Sequence, residues 1–173
     1  MKLLVVVDMQ NDFITGSLGT PEAVKIVDRV AEIMENFPGK VICTRDTHGE
    51  NYLETSEGKK LPVMHCIRGT EGHELCPKVS AAAEACGAQL LDKTTFGSRD
   101  LPRLVEELAG GALESIELVG LCTDICVISN ALLLKAFFPE TPIRVDASAC
   151  AGVTPESHEN ALKAMAMCQI DLI

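Results

Sequence analysis

Residues 115–136 read SIELVGLCTDICVISNALLLKA. Ile116, Leu118 and Val119 form a short apolar run within SIELVGL (115–121), which reads as a buried strand. Beyond it Val127, Ile128, Ala131 and Leu134 recur at helical spacing. A strand that passes through a tight turn into a helix is the repeating unit of an α/β fold. Two cysteines, Cys122 and Cys126, fall in that turn. With Thr123 as the helix cap, Cys126 is the third residue of the first turn, where free N–H groups and the helix dipole lower a thiol's pKa. Cys122 precedes the cap. This favours Cys126 as a nucleophile over a Cys122–Cys126 redox pair.

The same alternation extends in both directions. LLVVVDM (3–9) is continuously apolar, as expected of a strand covered on both faces. PEAVKIVDRVAEIMENF (21–37) opens on proline and carries a stripe of Val24, Val27, Val30, Ile33 and Met34. KVICTRD (40–46) is a second strand, KVSAAAEACGA (78–88) a short helix and AQLLDK (88–93) a third strand. SRDLPRLVEELA (98–109) is a helix with Ser98 as its cap. After the opening stretch come a strand at IRVDAS (143–148), a helix at TPESHENALKAMAM (154–167) and a last strand in CQIDLI (168–173). The order predicts a parallel, doubly wound, Rossmann-like sheet of about six strands with helices on both faces, in one domain over residues 1–173. Residues 47–78 are polar and aperiodic, and a long irregular stretch inside a compact domain is usually functional.

Composition removes several classes of function. A net charge of −10 lacks the basic surface that nucleic acid or anionic lipid requires. No apolar run reaches a membrane-spanning length. The first residues carry Asp8 and Asp12 and no small-residue cleavage site, so they read as a strand rather than a signal peptide. The eight cysteines contain no C-x-x-C pair and read as reduced thiols, with a cytoplasmic location.

In a parallel sheet, sites form beyond the carboxyl ends of the strands. Asp8, Asp46 with His48, Lys93, and Cys122 with Cys126 all fall at such ends. Asp8 interrupts an apolar run, and a buried carboxylate is costly unless paired. A lysine beside it keeps the acid ionised and stabilises a thiolate. Asp46 and His48 alternate on one strand face and, with His65, offer a divalent metal three ligands, to which Glu50, Glu54 or Glu57 adds a fourth. His73 and His158 fit no constellation and read as surface residues.

Five ordered segments are similar to the cysteine hydrolase (isochorismatase-like) family, which includes nicotinamidases, isochorismatases and N-carbamoylsarcosine amidase. They are VVVDMQNDFITGSLG (5–19), TRDTHGENY (44–52), LPVMHCIRGTEGHEL (61–75), DKTTFGSR (92–99) and GLCTDICVISNA (120–131). The resemblance implies a triad of Asp8, Lys93 and Cys126, the nucleophile lying in the G-x-x-T-D-x-C-V pattern of Gly120–Val127. It implies a cis peptide at Leu121–Cys122 and an oxyanion hole from the N–H groups of Cys122 and Cys126. Retention of both Cys126 and the Asp46, His48, His65 set is closest to the metal-containing nicotinamidases. There the metal, zinc with iron or manganese as alternatives, holds a pyridine nitrogen while the carboxamide reaches the thiolate.

The tryptophan that nicotinamidases carry before the second metal histidine is missing, and Leu61 and Pro62 stand in its neighbourhood. Phe13 and Leu121 are expected in the substrate pocket, with Tyr52 or Phe96 as a second aromatic wall. The expected activity is hydrolysis of a small carboxamide, nicotinamide to nicotinate and ammonia, through a cysteine thioester in a homo-oligomer. The alternatives are a related amidase or carbamoyl-amide hydrolase, a non-catalytic binding member, and a thiol redox protein.

Overall fold

The computed structural model describes residues 1–173. In chain order the elements are β1 (Lys2–Val7), α1 (Asn11–Ile14), α2 (Pro21–Asn36), β2 (Lys40–Asp46), α3 (Ser56–Lys60), α4 (Pro77–Cys86), β3 (Gln89–Lys93), α5 (Leu101–Ala109), β4 (Ser115–Leu121), α6 (Ile128–Phe137), β5 (Ile143–Ala151), α7 (Pro155–Met167) and β6 (Asp171–Leu172). The six strands form one sheet in the order β3-β2-β1-β4-β5-β6, and every pairing is parallel. This is the doubly wound architecture expected from the alternation.

Strand β1 lies at the centre, and Leu3 to Val7 are all fully buried. Because strand side chains alternate, Leu4 and Val6 pack with Ile26, Val30 and Met34 of α2 and Val79 of α4. Leu3, Val5 and Val7 pack on the other face with Val105 of α5, Leu134 of α6 and Met165 of α7. At roughly 1.5–3 kcal/mol per fully buried aliphatic side chain, β1 is the strand the sheet can least spare. No helix is long and apolar enough to cross a membrane.

Three local expectations are corrected. The buried face of α2 is Ala23, Ile26, Val30, Ala31 and Met34, while Val24 is half exposed. The small Ala23 and Ala31 face the sheet, so the stripe lies one position round from the all-valine choice. Helix α5 is capped at Asp100 rather than Ser98, whose N–H instead donates to Asn130 Oδ1 at 2.9 Å. Strand β5 continues past Ser148 to Ala151, because its pairing with β4 jumps from Leu118↔Val145 to Gly120↔Cys150. That irregularity absorbs the extra residues and resumes the ladder beside the turn that carries Cys126.

Gly120 has φ +111, and a Cβ there would overlap the carbonyl of Val7. Gly120→Ala is expected to destabilise the fold by about 2–3 kcal/mol, combining overpacking with the unfavourable φ. That corresponds to a Tm lower by roughly 5–10 °C. Thermal unfolding followed by circular dichroism reads this directly, and an unchanged Tm would show that β1 and β4 can part at no cost.

Candidate active site

The parallel sheet brings the strand ends together. Asp8 follows β1, Asp46 ends β2, Lys93 ends β3, and Cys126 lies in the turn after β4. Asp46 and Lys93 are register partners across β2 and β3. The Lys93 ammonium is 2.7 Å from Asp8 Oδ2, 3.4 Å from Asp46 Oδ1 and 3.4 Å from Cys126 Sγ. All four residues are buried. Asp8 Oδ1 accepts the Thr44 hydroxyl at 2.7 Å. Its Oδ2 touches Lys93 as an ion pair and takes no directed hydrogen bond, which leaves a lone pair open.

The charges explain the proton affinities. Burial pushes the Asp8 carboxyl up; the Lys93 charge opposes this and Asp46 adds to it, for a net rise. Burial pushes the Cys126 thiol well above its ordinary value and the Asp8 charge adds to that, against Lys93. Burial alone would lower Lys93, but Asp8, Cys126 and Asp46 together hold it above its usual range, so it stays an ammonium. The lowered thiol expected from a helix N-terminus is therefore overturned: desolvation outweighs the dipole at a buried sulfur. The geometry differs too. Residues Thr123–Val127 form a π turn, and Thr123 does not cap it with its side chain. The Cys122 carbonyl accepts the N–H groups of Ile125 at 3.1 Å and Val127 at 3.0 Å, skipping Cys126. The Leu121–Cys122 peptide is cis, and the Cys122 N–H donates to no backbone acceptor.

Next to this group, Asp46, His48, Glu57 and His65 each direct one donor atom at a common point, all within 4.8 Å of one another. His48 Nε2 lies 2.8 Å from Asp46 Oδ2 and 3.6 Å from Glu57 Oε1. His65 Nε2 lies 3.6 Å from Asp46 Oδ2 and 3.7 Å from Glu57 Oε1. His65 Nδ1 is 2.8 Å from the Val63 carbonyl, which can only accept, so Nδ1 carries the hydrogen and Nε2 keeps its lone pair. Burial and then the Asp46 charge raise the Glu57 carboxyl, a repulsion that a dication at this point would relieve. Burial would raise Asp46 as well, but the hydrogen bond from His48, the neighbouring His65 and the Lys93 charge hold it far below the usual carboxylate range. Two imidazoles and two carboxylates in this arrangement fit a divalent metal. Of the three glutamates considered as further ligands, α3 delivers Glu57, whereas Glu50 and Glu54 are exposed and stand outside the cluster.

Cys126, Asp46 and the other three metal-ligand residues line one cavity of about 740 Å³, walled by Phe13, Leu18, Leu61, Phe96, Ile125 and Val153. Leu121 is absent from this wall. It is the last residue of β4 and its side chain lies in the core against α2's face of the sheet, so Ile125 takes the pocket position expected for it. Tyr52 is fully buried beneath the histidines, 4.6 Å from the His48 ring and 4.9 Å from the His65 ring, so Phe96 supplies the second aromatic wall.

The isochorismatase domain model matches residues 2–173. The chain belongs to the isochorismatase domain family. Among curated relatives, it is 28% identical to a nicotinamidase/pyrazinamidase of Mycobacterium tuberculosis over 100% of this chain and 98% of that protein. Among solved structures, a nicotinamidase of Bacillus subtilis superposes with TM-score 0.84 at 28% identity, covering 99% of this chain and 98% of the other. A pyrazinamidase of Pyrococcus horikoshii solved in complex with zinc gives TM-score 0.81 at 27% identity over 99% and 98% of the two chains.

In this isochorismatase-domain chain, several buried polar residues tie the site to the sheet, and the sequence reading passed over them. Gln10 donates through Nε2 to the carbonyls of Asp46 and His73, each at 2.8 Å, and accepts the Asp46 N–H at 2.7 Å. It thereby clamps the end of β2. Asn130 donates to the Cys126 carbonyl at 2.8 Å and the Phe96 carbonyl at 3.2 Å while accepting from Ser98. That links the cysteine turn to the loop after Lys93. Asp12 Oδ2 accepts the Cys66 N–H at 2.8 Å and anchors the segment behind His65. His73, read as a surface residue, is buried with Nε2 2.8 Å from Thr47 Oγ1. The available signal was a cluster of amide and carboxylate side chains inside otherwise apolar segments, which must find partners when buried.

Proposed function

We propose that residues 1–173 act as a single cysteine hydrolase domain that cleaves a small carboxamide, nicotinamide to nicotinate and ammonia. The observation that carries this reading is the Lys93 ammonium set among Asp8, Asp46 and Cys126, with Cys126 and Asp46 lining the cavity that the metal-ligand cluster shares. Its relatives named as nicotinamidases support it over the binding and redox alternatives.

Asp8 takes the Cys126 thiol proton as the sulfur forms a bond to the carboxamide carbon. Burial raises both groups, so the proton leaving the thiol meets a carboxylate whose own affinity for it is raised. The electron pair of the carbonyl moves onto oxygen, and the N–H groups of Cys122 and Cys126 are the donors we assign to it. Asp8 then gives its proton to the leaving nitrogen as the C–N bond breaks and ammonia departs. Water attacks the resulting thioester, Asp8 takes its proton, and the acid leaves with the thiol restored. The Lys93 charge beside Asp8 favours its ionised form against the effect of burial. A divalent ion held by Asp46, His48, Glu57 and His65, zinc on this donor set with iron or manganese as alternatives, supplies a Lewis-acid anchor for a ring nitrogen when bound.

Phe13 and Phe96 would face the ring, and the aliphatic walls from Leu18, Leu61 and Val153 favour a tolerance for other amides beside nicotinamide. The free thiols, including exposed Cys86 and Cys168, support a reducing cytoplasmic setting, and exposed Leu132 and Phe137 on α6 support self-association.

The test is ammonia release from nicotinamide. Chelation is expected to lower the rate by about 10–100-fold, and re-addition of zinc to restore it. A chelated protein with its full rate would remove the metal from the reading, and absence of release from any amide would remove the hydrolase.

A further inference from the structure

Thr123 is fully buried, and its hydroxyl has a single side-chain partner, His158 Nδ1, at 2.8 Å. His158, read as a surface residue, is half-buried and reaches this hydroxyl from the neighbouring segment. It stands in the first turn of α7, where the Thr154 side chain accepts the Ser157 N–H at 3.0 Å in a capping box. Gly152 packs against it so closely that a Cβ would lie 2.8 Å from the His158 nitrogen. Beside this bond, Asp124 accepts the Val153 N–H at 3.2 Å through Oδ1 and 3.3 Å through Oδ2. Two successive residues of the cysteine turn are therefore pinned by residues 153–158, while Asn130 holds the Cys126 carbonyl from the other side. The turn needs such pins. Its bonds from Ile125 and Val127 converge on one carbonyl, so the regular helical ladder that would fix its pitch is missing at this point.

We propose that His158 is a positioning residue for the reaction. Through Thr123 it aims the Cys122 and Cys126 backbone at the oxygen that becomes charged when the sulfur adds. This rests on the hydrolase reading above and extends it to α7. Donors aimed at a developing oxyanion lose much of their effect when displaced by a fraction of an ångström. The cavity's other end, built from Phe13, Leu61 and the four metal-ligand residues, comes from different segments and keeps its hold on substrate. Loss of His158 therefore lowers kcat and leaves KM alone.

The experiment compares wild type, His158→Ala, His158→Asn, Thr123→Val and the Ala/Val double variant, each metal-replete, with nicotinamide as substrate. His158→Ala and Thr123→Val are each expected to lower kcat about ten-fold, the size of one lost hydrogen bond, with KM within about two-fold. The double variant falls no further than either single one, because both remove the same bond. Asparagine at this position carries an amide where Nδ1 stood, so the His158→Asn variant regains most of the rate. Pyridine-3-carbaldehyde gives a second readout. The Cys126 sulfur bonds to its carbonyl carbon, the π pair moves onto oxygen and the thiol proton passes to Asp8. Its inhibition weakens about ten-fold in His158→Ala, whereas inhibition by nicotinate does not change. A lowered Tm with unchanged kcat, or losses that multiply in the double variant, would reduce the bond to a structural role. Turnover in the wild type that depends on Cys126 but ignores His158 overturns this inference alone. Wild type without Cys126-dependent turnover overturns the hydrolase reading as well.

Discussion

Replacing Cys126 with alanine is expected to abolish ammonia release, a loss of roughly four to six orders of magnitude, while the protein keeps its fold. The sulfur lines the cavity, 3.4 Å from the Lys93 ammonium and close enough to Asp8 for its charge to raise the thiol. Removing it leaves the Cys122 thiol in the cavity wall, without the Lys93 contact that Cys126 has. The stability cost is small, about 1 kcal/mol, because only one heavy atom leaves a site where the core can relax. Rates measured beside a melting curve separate the two effects. A Cys126→Ala protein within a few-fold of wild type would end the nucleophile assignment and move attention to the neighbouring Cys122.

The second large effect is at Lys93. In Lys93→Met the apolar stem survives and the charge goes, leaving Asp8 and Asp46 facing each other in a dry interior. Breaking a buried pair from one side costs about 3–5 kcal/mol, so both stability and turnover should collapse together. The pH dependence gives a sharper signature. The folded-state affinity of Asp8 for its proton is already raised by burial, and Lys93 is the largest influence opposing that rise. Without Lys93 the rise is greater. A raised acid contributes stability that is present below its unfolded pKa and lost as pH climbs through its folded pKa. The Tm gap between variant and wild type is therefore expected to widen as pH rises from the ordinary carboxylate range toward neutrality. A constant gap across that window would mean that Asp8 is relieved by something other than Lys93.

The sheet was legible because each strand carries its own signal. Lys40–Asp46 and Ser115–Leu121 match the sequence reading residue for residue, since apolar runs bounded by Pro-Gly or Gly mark both ends. The convergence of Asp8, Asp46, Lys93 and Cys126 followed from one assumption, parallel strands. What escaped was side-chain direction wherever the chain leaves the sheet. Leu121 still belongs to β4 and shares the face of Val119, so strand alternation turns it into the core. The partners of Gln10, Asn130 and Thr123 lie as much as 63 residues away, beyond the reach of any periodicity. His73 and His158 looked solitary for the same reason: each is completed by a hydroxyl from another segment. The expected thiol acidity failed on magnitude, because desolvation at a buried sulfur exceeds a helix-terminus effect.

Strand ends supply the groups that would react, whereas most of the groups that would grip a substrate come from the single excursion between β2 and α4. His48, Glu57, Leu61 and His65 all lie on that excursion, which is held down by Tyr52 under the histidines and Asp12 behind His65. Chemistry and taste are thus carried on separate stretches of chain. Rewriting residues between those two anchors can retune what is accepted without rebuilding what attacks it. An enzyme organised this way can change diet by editing one surface loop, and the missing tryptophan reads as one such edit.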